Sequence, residues 1–433
     1  MTPEINYILS LQAVRDRAHH VLFLAESNRL NHFDYNPDRL TDVVQYVTNV
    51  IKDGYGPDKY AQIPPHGRWQ HFLVGDVDRI ATLLHRYKHR GYNLKEEARS
   101  LVDLFFVSVL LDAGAGDAWK FREPDTEATF VRSEGIAVAS LHMFLNGEFA
   151  TVSSTRKDVV LGAALRDLKA SQLELGFQIE ESNPFIGTAA RVELLNALGK
   201  SLLDLPEIFG DDGRPGNLVD YLLAKAGQTG PIDFEDLWQL LQKVLLPIWP
   251  SSRTQLDGHP VGDAWPLHAL AQNPDPSAPP QHQKYANIQP FHKLTQWLAY
   301  SLMVPFERLL RRPFENAHLA TGLPEYRNGG VFVDLGVLTL KPRSLEQGRK
   351  NSGGDLPAFE ATGDEIVEWR ALTVALLDKV HGALQETELA AAQLTLPQVL
   401  EAGSWKAGRK LAAENRPDTK SSPILIMGDG TLF

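Results

Sequence analysis

The chain has 433 residues, of which 43% are hydrophobic and 22% charged, as is ordinary for a folded globular protein. A net charge of -11 argues against nucleic acid as the main partner, although one local basic pocket would suffice to bind a small phosphorylated ligand. The absence of cysteine excludes disulfides, thiolate nucleophiles and cysteine metal sites.

Helical periodicity is the main pattern along the chain. In the segment 36–54, Leu40, Val43, Val47 and Val50 fall on one stripe, between a proline and a glycine that suit a helix start and stop. The same pattern predicts helices over 36–54, 96–114, 188–206, 216–227, 233–250, 363–384 and 395–415. We therefore expect a mainly α protein with a few short strands.

Strand and loop signals are few. The segment 422–433 predicts a strand and a glycine turn, whereas 271–287 and 341–364 are rich in turn residues and predict loops. The second loop is long enough to be a lid or a surface insertion. Nothing marks two independent domains, so we expect one large unit over 1–433 that, if it divides, divides near the first loop.

Targeting signals are not evident. The N-terminal residues lack the basic and long apolar regions of a secretory signal, and the most apolar window, 101–114, is too short to span a bilayer and carries Asp103. These features predict a cytoplasmic protein without a membrane partner.

Standard catalytic motifs are missing from the sequence. It has no P-loop, no dinucleotide-binding glycine motif after a strand, no H-E-x-x-H and no G-x-S-x-G. His85 and His89 have chelating spacing, but the residues around them are basic, so they predict a solvated helix face rather than a metal site. We expect no metal and no cofactor.

Short clusters of carboxylates, aromatic side chains and cations are the candidate chemistry. Their members are Asp112, Asp117, Trp119, Lys120, Arg132 and Glu134; Asp263, Trp265 and His268; His292, Lys293, Gln296, Trp297 and Tyr300; Glu325, Tyr326, Arg327 and Asn328; and Glu368, Trp369 and Arg370. A structural interpretation competes in each case. The sequence G-D-A-W, which occurs twice, is compatible with a turn followed by a tryptophan that is buried in the core. Glu368 and Arg370 would form a buried ion pair.

The residue types together favour glycosidic bond cleavage over redox or group-carrier chemistry. Tryptophans stack on planar or sugar-like groups, and carboxylates bind ribose hydroxyls and stabilise an oxocarbenium-like centre. Lysine, arginine and histidine hold a phosphate through charge-assisted hydrogen bonds.

Five segments together resemble the uracil catabolism protein 4 family: "LDAGAGDAWKFREP", "RSEGIAVASLHMF", "PFHKLTQWLAYSL", "GLPEYRNGG" and "EWRALTVALL". The resemblance spans most of the chain. It implies a place in uracil degradation beside a uracil phosphoribosyltransferase and a cyclohydrolase-like protein, in a pathway through a ribosylurea-type intermediate.

A remoter resemblance is to the queuosine salvage N-glycosidases, which are mainly helical and resemble helix-hairpin-helix glycosylases. Their lysine-x-x-glutamine motif is similar to Lys293 and Gln296, but Tyr300 stands where they have an aspartate. That departure fits a different leaving group, such as urea. Their Asp-Tyr-Arg motif is similar to the Glu-Tyr-Arg that begins at Glu325, and their Glu-x-Arg-Ala helix to the one that begins at Glu368.

The resemblance also bears on the apolar run 331–340. Its β-branched residues favour a strand, whereas the resemblance implies a helix that closes at Gly336, which is the interpretation we favour.

The leading hypothesis is an N-ribosyl hydrolase that acts on ribosylurea or its 5'-phosphate. Glu325 would stabilise the oxocarbenium charge or bind the ribose, and Asp112, Asp117 or Glu368 would activate water. The phosphate would be bound by His292, Lys293 and Arg327. The leaving group would pack against Trp119, Trp265 or Trp297. The other expected substrate-binding residues are Glu134, Asp263, Gln296, Tyr300, Tyr326, Asn328 and Arg370.

Two rival hypotheses stay open. Amide or ring hydrolysis on a pyrimidine nucleotide would release ammonia without a free sugar. A non-catalytic scaffold would bind a pathway enzyme and show no turnover alone. The sequence does not predict the oligomeric state.

Overall fold

The structure, a computed structural model, describes residues 1–112, 114–116 and 118–428; helices make up 59% of it and strands 8%, so the fold is mainly helical, as predicted. The helices are α1 Pro3–Ile8, α2 Leu11–Glu26, α3 Leu40–Tyr55, α4 Arg68–His71, α5 Arg79–His89, α6 Leu94–Leu110, α7 Arg132–Asn146, α8 Gly162–Arg166, α9 Ala170–Gly176, α10 Thr188–Leu203, α11 Pro206–Phe209, α12 Leu218–Ala226, α13 Phe234–Leu245, α14 His268–Gln272, α15 Pro280–Gln283, α16 Lys293–Leu310, α17 Tyr326–Asp334, α18 Pro342–Ser352, α19 Asp364–Leu384, α20 Leu396–Val399 and α21 Trp405–Asn415. The strands are β1 Phe33–Tyr35, β2 Lys120–Arg122, β3 Thr129–Val131, β4 Ile232–Asp233, β5 Gln255–Leu256, β6 His259–Pro260, β7 Ala264–Pro266, β8 Ile288–Pro290, β9 Phe314–Glu315, β10 Leu338–Leu340, β11 Ala358–Glu360 and β12 Leu425–Met427.

The chain falls into two compact units. The first unit comprises Met1–His66, Ser251–Lys293 and His318–Gly428, and the second comprises Gly67–Pro250 and Leu294–Ala317. The loop predicted at 271–287 lies within the first unit, where it is irregular apart from α15 and the end of α14.

The first unit is built around α19. This helix is 21 residues long and buries apolar side chains on most of its circumference, as a helix at the centre of a core must. Helices α2, α3 and α17 pack against it, and α21 packs on α17. Short strand pairs cover the edges: β1 with β10 and β7 with β8 are antiparallel, whereas β11 with β12 is parallel.

The second unit has α6 at its centre. From Ala98 onward, nearly every residue of this helix is buried, and α7 and α12 pack against it. The neighbouring pair α8 and α10 approaches closely at Gly199, where an added Cβ would lie 2.4 Å from the carbonyl oxygen of Gly162. Strands β2 and β3 pair antiparallel, and β4 and β9 pair in parallel.

The predicted loop at 341–364 is wrong, because this segment contains α18 and β11. Helix α18 begins with a proline and ends at Gly353 in the left-handed conformation, which are ordinary helix boundaries. Its buried face consists of Ser344 and Gly348 rather than large apolar residues, so hydrophobic periodicity could not reveal it. An added Cβ at Gly348 would lie 2.5 Å from the ring of Phe359, so the small residue is required for this packing.

The helix predicted to close at Gly336 is confirmed over 331–334, whereas the end of the run, 338–340, forms a strand. Helix α17 runs to Asp334, and Gly336 follows with a φ of 75° before the chain enters β10. The strand predicted after Pro423 is also present as β12, while the turn predicted at 428–430 lies mostly outside the described residues.

His85 and His89 are both exposed on α5, which agrees with the predicted solvated helix face. Within the described ranges, no helix is long enough and apolar enough to cross a bilayer.

Two helical glycines of the first unit provide a matched test of how closely α21 packs against α17. In Gly408→Ala the new Cβ would lie 2.1 Å from the carbonyl oxygen of Arg327, so α21 must move away from α17. We expect the free energy of unfolding to fall by about 1–3 kcal/mol, as for other overpacked cores. At Gly382 an added Cβ has nothing within 4 Å, so Gly382→Ala should leave stability unchanged or raise it slightly. Urea denaturation of both variants checks this, and equal stabilities would contradict the packing.

Candidate functional site

The carboxylate of Asp263 is the hub of the polar groups in the first unit. It is 4% exposed and accepts two hydrogen bonds from Arg370, at 2.8 Å on each oxygen. The indole of Trp265 donates to Oδ1 at 2.7 Å, and the backbone N–H of Lys293 donates to Oδ2 at 3.0 Å. Burial alone would raise the pKa of Asp263, but the Arg370 guanidinium and the other donors hold it well below its usual range. A buried carboxylate bonded in this way is a structural anion.

The Asp263 hub sets the start of α16. Its backbone carbonyl accepts the N–H groups of Phe291 and His292, and His292 adopts a φ of 48°, which is uncommon for a residue with a Cβ. The His292 side chain lies against the carbonyl of Ile8 at 2.9 Å, and burial lowers its pKa. A neutral imidazole weakens the prediction that His292 holds a phosphate as a cation. The same contacts place Lys293 at the first position of the helix.

Glu325 caps the N-terminus of α17. Its Oε2 accepts the backbone N–H groups of Arg327 at 2.7 Å and Asn328 at 3.2 Å, which satisfies two donors that a helix start leaves without partners. Among the described residues, no donor is bonded to Oε1. The side chain is half-buried rather than pointing into open solvent. The helix therefore holds Oε2 in place, while Oε1 remains available as a hydrogen-bond acceptor.

The electrostatic environment of Glu325 is mixed. Burial raises the pKa of this carboxyl, while the positive charges of Lys293 and Arg327 and the two amide donors oppose the rise. A carboxyl with a raised pKa beside a lysine is the combination that acid–base or oxocarbenium chemistry uses. The charge of Lys293, one of the residues expected to hold the phosphate, therefore acts on Glu325.

The residues that follow Glu325 mostly hold the fold. Arg327 is buried, donates to the carbonyl of Lys420 at 2.9 Å and lies 5.0 Å from the ring of Tyr326. Asn328 is also buried, donates to the carbonyl of Leu323 and accepts from Ser404. These contacts favour a positioning role for the two residues over direct contact with a ligand.

Glycine at 329 lets α17 approach α19. An added Cβ would lie 2.8 Å from Oγ1 of Thr373 and 2.9 Å from the indole of Trp369, whose N–H donates to the Gly329 carbonyl at 3.2 Å. The glycine therefore allows the backbone of α17 to lie against the side chains of α19.

Glu368 is bonded to backbone rather than to Arg370. Its Oε1 accepts the N–H groups of His32 at 2.8 Å and Phe33 at 3.0 Å, and its Oε2 accepts that of Asn31 at 3.0 Å. The alternative of a Glu368–Arg370 ion pair is therefore wrong. With both oxygens engaged and the side chain fully buried, Glu368 is poorly placed to activate water.

In the second unit, Arg68 gathers three of the predicted site residues. It is fully buried and bonds Asp112 through Nη1 at 2.5 Å and Ser108 through Nε at 2.7 Å. Its guanidinium lies 5.5 Å from the ring of Trp297, and the charge of Glu134 acts on it. Sequence analysis missed Arg68, although its segment, "HGRWQH", has the same mixture of charged and aromatic residues as the predicted clusters.

Three further candidates of the second unit, Trp119, Gln296 and Tyr300, are buried, whereas Lys120 is exposed. Trp119 is 0% exposed, stacks with Phe177 and donates its indole N–H to the Phe177 carbonyl, which favours a packing role over a wall for a ligand. Gln296 and Tyr300 are buried on α16. Asp117 lies outside the described residues. Roles for these residues in binding or catalysis stay predictions.

In the part of the chain that the structure describes, no group of three or more histidine and carboxylate side chains is placed to hold a metal ion.

The sequence matches one family over nearly its whole length. Residues 7–433 match the family described as "Protein of unknown function (DUF1688)". The chain is 44% identical to Protein urg3 of Schizosaccharomyces pombe over all of both chains. It is 41% identical to Uracil catabolism protein 4 of Lachancea kluyveri, with 99% of each chain covered.

Removing the charge of Asp263 tests its role as a hub. In Asp263→Asn the Arg370 guanidinium loses its counter-charge inside the core, so we expect the free energy of unfolding to fall by about 3–5 kcal/mol. The matched control is Asp257→Asn, because Asp257 pairs with Lys284 on the surface and asparagine tolerates its positive φ. Chemical denaturation of both variants measures the difference. A small effect at Asp263 would contradict its role as the hub.

The raised pKa of Glu325 predicts a pH dependence of stability. A carboxyl whose pKa is raised by folding contributes stability below its unfolded pKa, near 4.5, that is lost as pH rises through the folded pKa. Glu325→Gln keeps an oxygen for the helix cap but cannot ionise, so it should gain stability relative to the parent protein as pH rises. The control is Glu346→Gln, because Glu346 is exposed on α18. If the difference in free energy of unfolding between the parent protein and the variant does not change with pH at either site, the expected effect of burial on Glu325 is refuted.

Proposed function

Since the chain belongs to the family described as "Protein of unknown function (DUF1688)", one of whose members is named for uracil catabolism, we propose that it is an N-ribosyl hydrolase of uracil degradation. Its substrate is ribosylurea or the 5'-phosphate of ribosylurea. The observation that carries the proposal is Glu325, a half-buried carboxyl with Oε2 on two helix amides and Oε1 available beside Lys293.

The reaction breaks one bond and consumes one water. The bond between the ribose anomeric carbon and the urea nitrogen breaks, and the electron pair leaves with the nitrogen, which gains a proton. Water adds to the anomeric carbon and loses a proton, so the products are ribose or ribose 5-phosphate and urea. No oxidant, reductant or group carrier is required.

Glu325 serves the transition state of this reaction. As the leaving group departs, positive charge develops on the sugar ring, and a fixed carboxylate next to the ring stabilises that charge more than it stabilises the neutral substrate. The N-terminal amides of α17 hold the carboxylate without side-chain rearrangement. Lys293 is the cation best placed to hold a 5'-phosphate, because Arg327 is buried and bonded to the Lys420 carbonyl.

The test is hydrolysis of synthetic ribosylurea and its 5'-phosphate by the purified chain, with urea measured directly. We expect urea and the free sugar in equal amounts, and Glu325→Gln should lower kcat/KM by about 100-fold or more, as loss of a positioned charge-stabilising group does. Because the raised pKa of Glu325 delays its ionisation, the rate should increase with pH up to that pKa.

The Glu346→Gln variant is the control for this assay, since it removes an exposed carboxylate from the same unit. Release of ammonia without free sugar would favour amide or ring hydrolysis instead. No turnover of either compound, with Glu325→Gln behaving like the parent protein, would defeat the proposal and favour a non-catalytic scaffold.

A further inference from the structure

A cleft of about 470 Å³ lies in the second unit, at the C-terminal ends of α5 and α7. Leu83 and Leu145 form its apolar part. Its polar lining comes from the end of α5, from Tyr92 and from the loop 155–158. The volume lies in the range of small-molecule sites and exceeds what a single ion would fill.

The charge in this cleft is opposite to that of the whole chain. Four cations, Arg86, Arg90, Arg156 and Lys157, line it beside one carboxylate, Asp158, although the chain carries a net charge of -11. Asp158 and Glu96 pair with two of these cations, so the concave surface keeps an excess of positive charge from the other two.

Part of this charge is fixed in place by the fold. Arg156 bonds Glu96, donates to Oγ of Ser100 at 2.9 Å and packs over the ring of Tyr92 at 4.7 Å. Arg90 donates one arm of its guanidinium to Asp158 at 2.6 Å, while its side chain stays 54% exposed. Two cations are thus oriented before any ligand arrives, which lowers the entropic cost of binding.

The remaining charge is not neutralised. Among the described residues, neither Arg86 nor Lys157 pairs with a carboxylate, and both are exposed at the rim of the cleft. Arg86 also complements the dipole at the end of α5, and Lys157 lies beside Gly147 at the end of α7, where a cation complements that helix dipole too.

We propose that this cleft binds the phosphate dianion of a small phosphorylated metabolite. Arg86 and Lys157 supply charge-assisted donors, and the hydroxyl of Thr155 supplies a neutral one. Leu83 and Leu145 contact the part of the ligand that carries the phosphate. The site is separate from the proposed function, because Glu325 and Lys293 belong to the first unit.

Isothermal titration of the full chain with ribose 5-phosphate, inorganic phosphate and ribose tests this site. We expect both phosphates to bind, with affinity falling as salt is raised, and ribose not to bind. Arg86→Gln with Lys157→Gln should weaken binding about tenfold or more, because two charge-assisted bonds are lost. The matched control is Lys88→Gln with Lys200→Gln, which removes two exposed cations of the same unit that do not line the cleft.

The variant Lys293→Gln separates this site from the proposed catalytic one. Binding that survives Lys293→Gln and is lost in the Arg86 and Lys157 variant supports the cleft. Tighter binding of ribose 5-phosphate than of inorganic phosphate supports a phosphate ester as the ligand, and equal affinities support free phosphate in the same site. Binding that is unchanged in the Arg86 and Lys157 variant, or no binding at millimolar ligand, overturns the proposal.

Discussion

The ion pair between Asp263 and Arg370 is the constraint on which the polar part of the first unit depends. It joins the strand β7 to the central helix α19 and, through the same carboxylate, fixes the first backbone N–H of α16. A buried ion pair contributes little net stability by itself, because desolvation offsets the attraction. Its effect here is one of geometry, since losing either partner would leave an unpaired charge in the core.

Glu325 caps α17 with only one of its two carboxylate oxygens. An N-cap needs a single acceptor oxygen, and a carboxylate has two. Oε2 serves the helix, and Oε1 stays available next to Lys293. A serine or aspartate would cap α17 equally well, so a longer acidic side chain at this position is consistent with a demand beyond capping.

The second unit organises its charges around arginines. Arg68 holds Asp112 in its core, and Arg156 and Arg90 are held at the cleft by acidic partners. Arg68 and Arg156 each satisfy several acceptors at once through the rigid fork of the guanidinium. A lysine could not make these contacts from one position, so the fixed geometry follows from the choice of side chain.

Sequence alone determined the mainly helical class, the positions of the long helices α3, α6, α10, α13 and α19, the family and the motif around Glu325, because these depend on local periodicity and on runs of neighbouring residues. It failed at α18, whose buried face is a serine and a glycine, and at Arg68, which no motif marks. Nor did the sequence show that the Glu368 carboxylate accepts hydrogen bonds from the three backbone N–H groups of residues 31–33, which leaves it poorly placed to act on a substrate.

Tertiary structure alone decided which charged groups are bonded inside the fold and which stay exposed. Asp263 and Arg370 are 107 residues apart, and Arg68 and Asp112 are 44 apart. Pairings over such distances depend on how helices pack, and no local pattern in the chain encodes them.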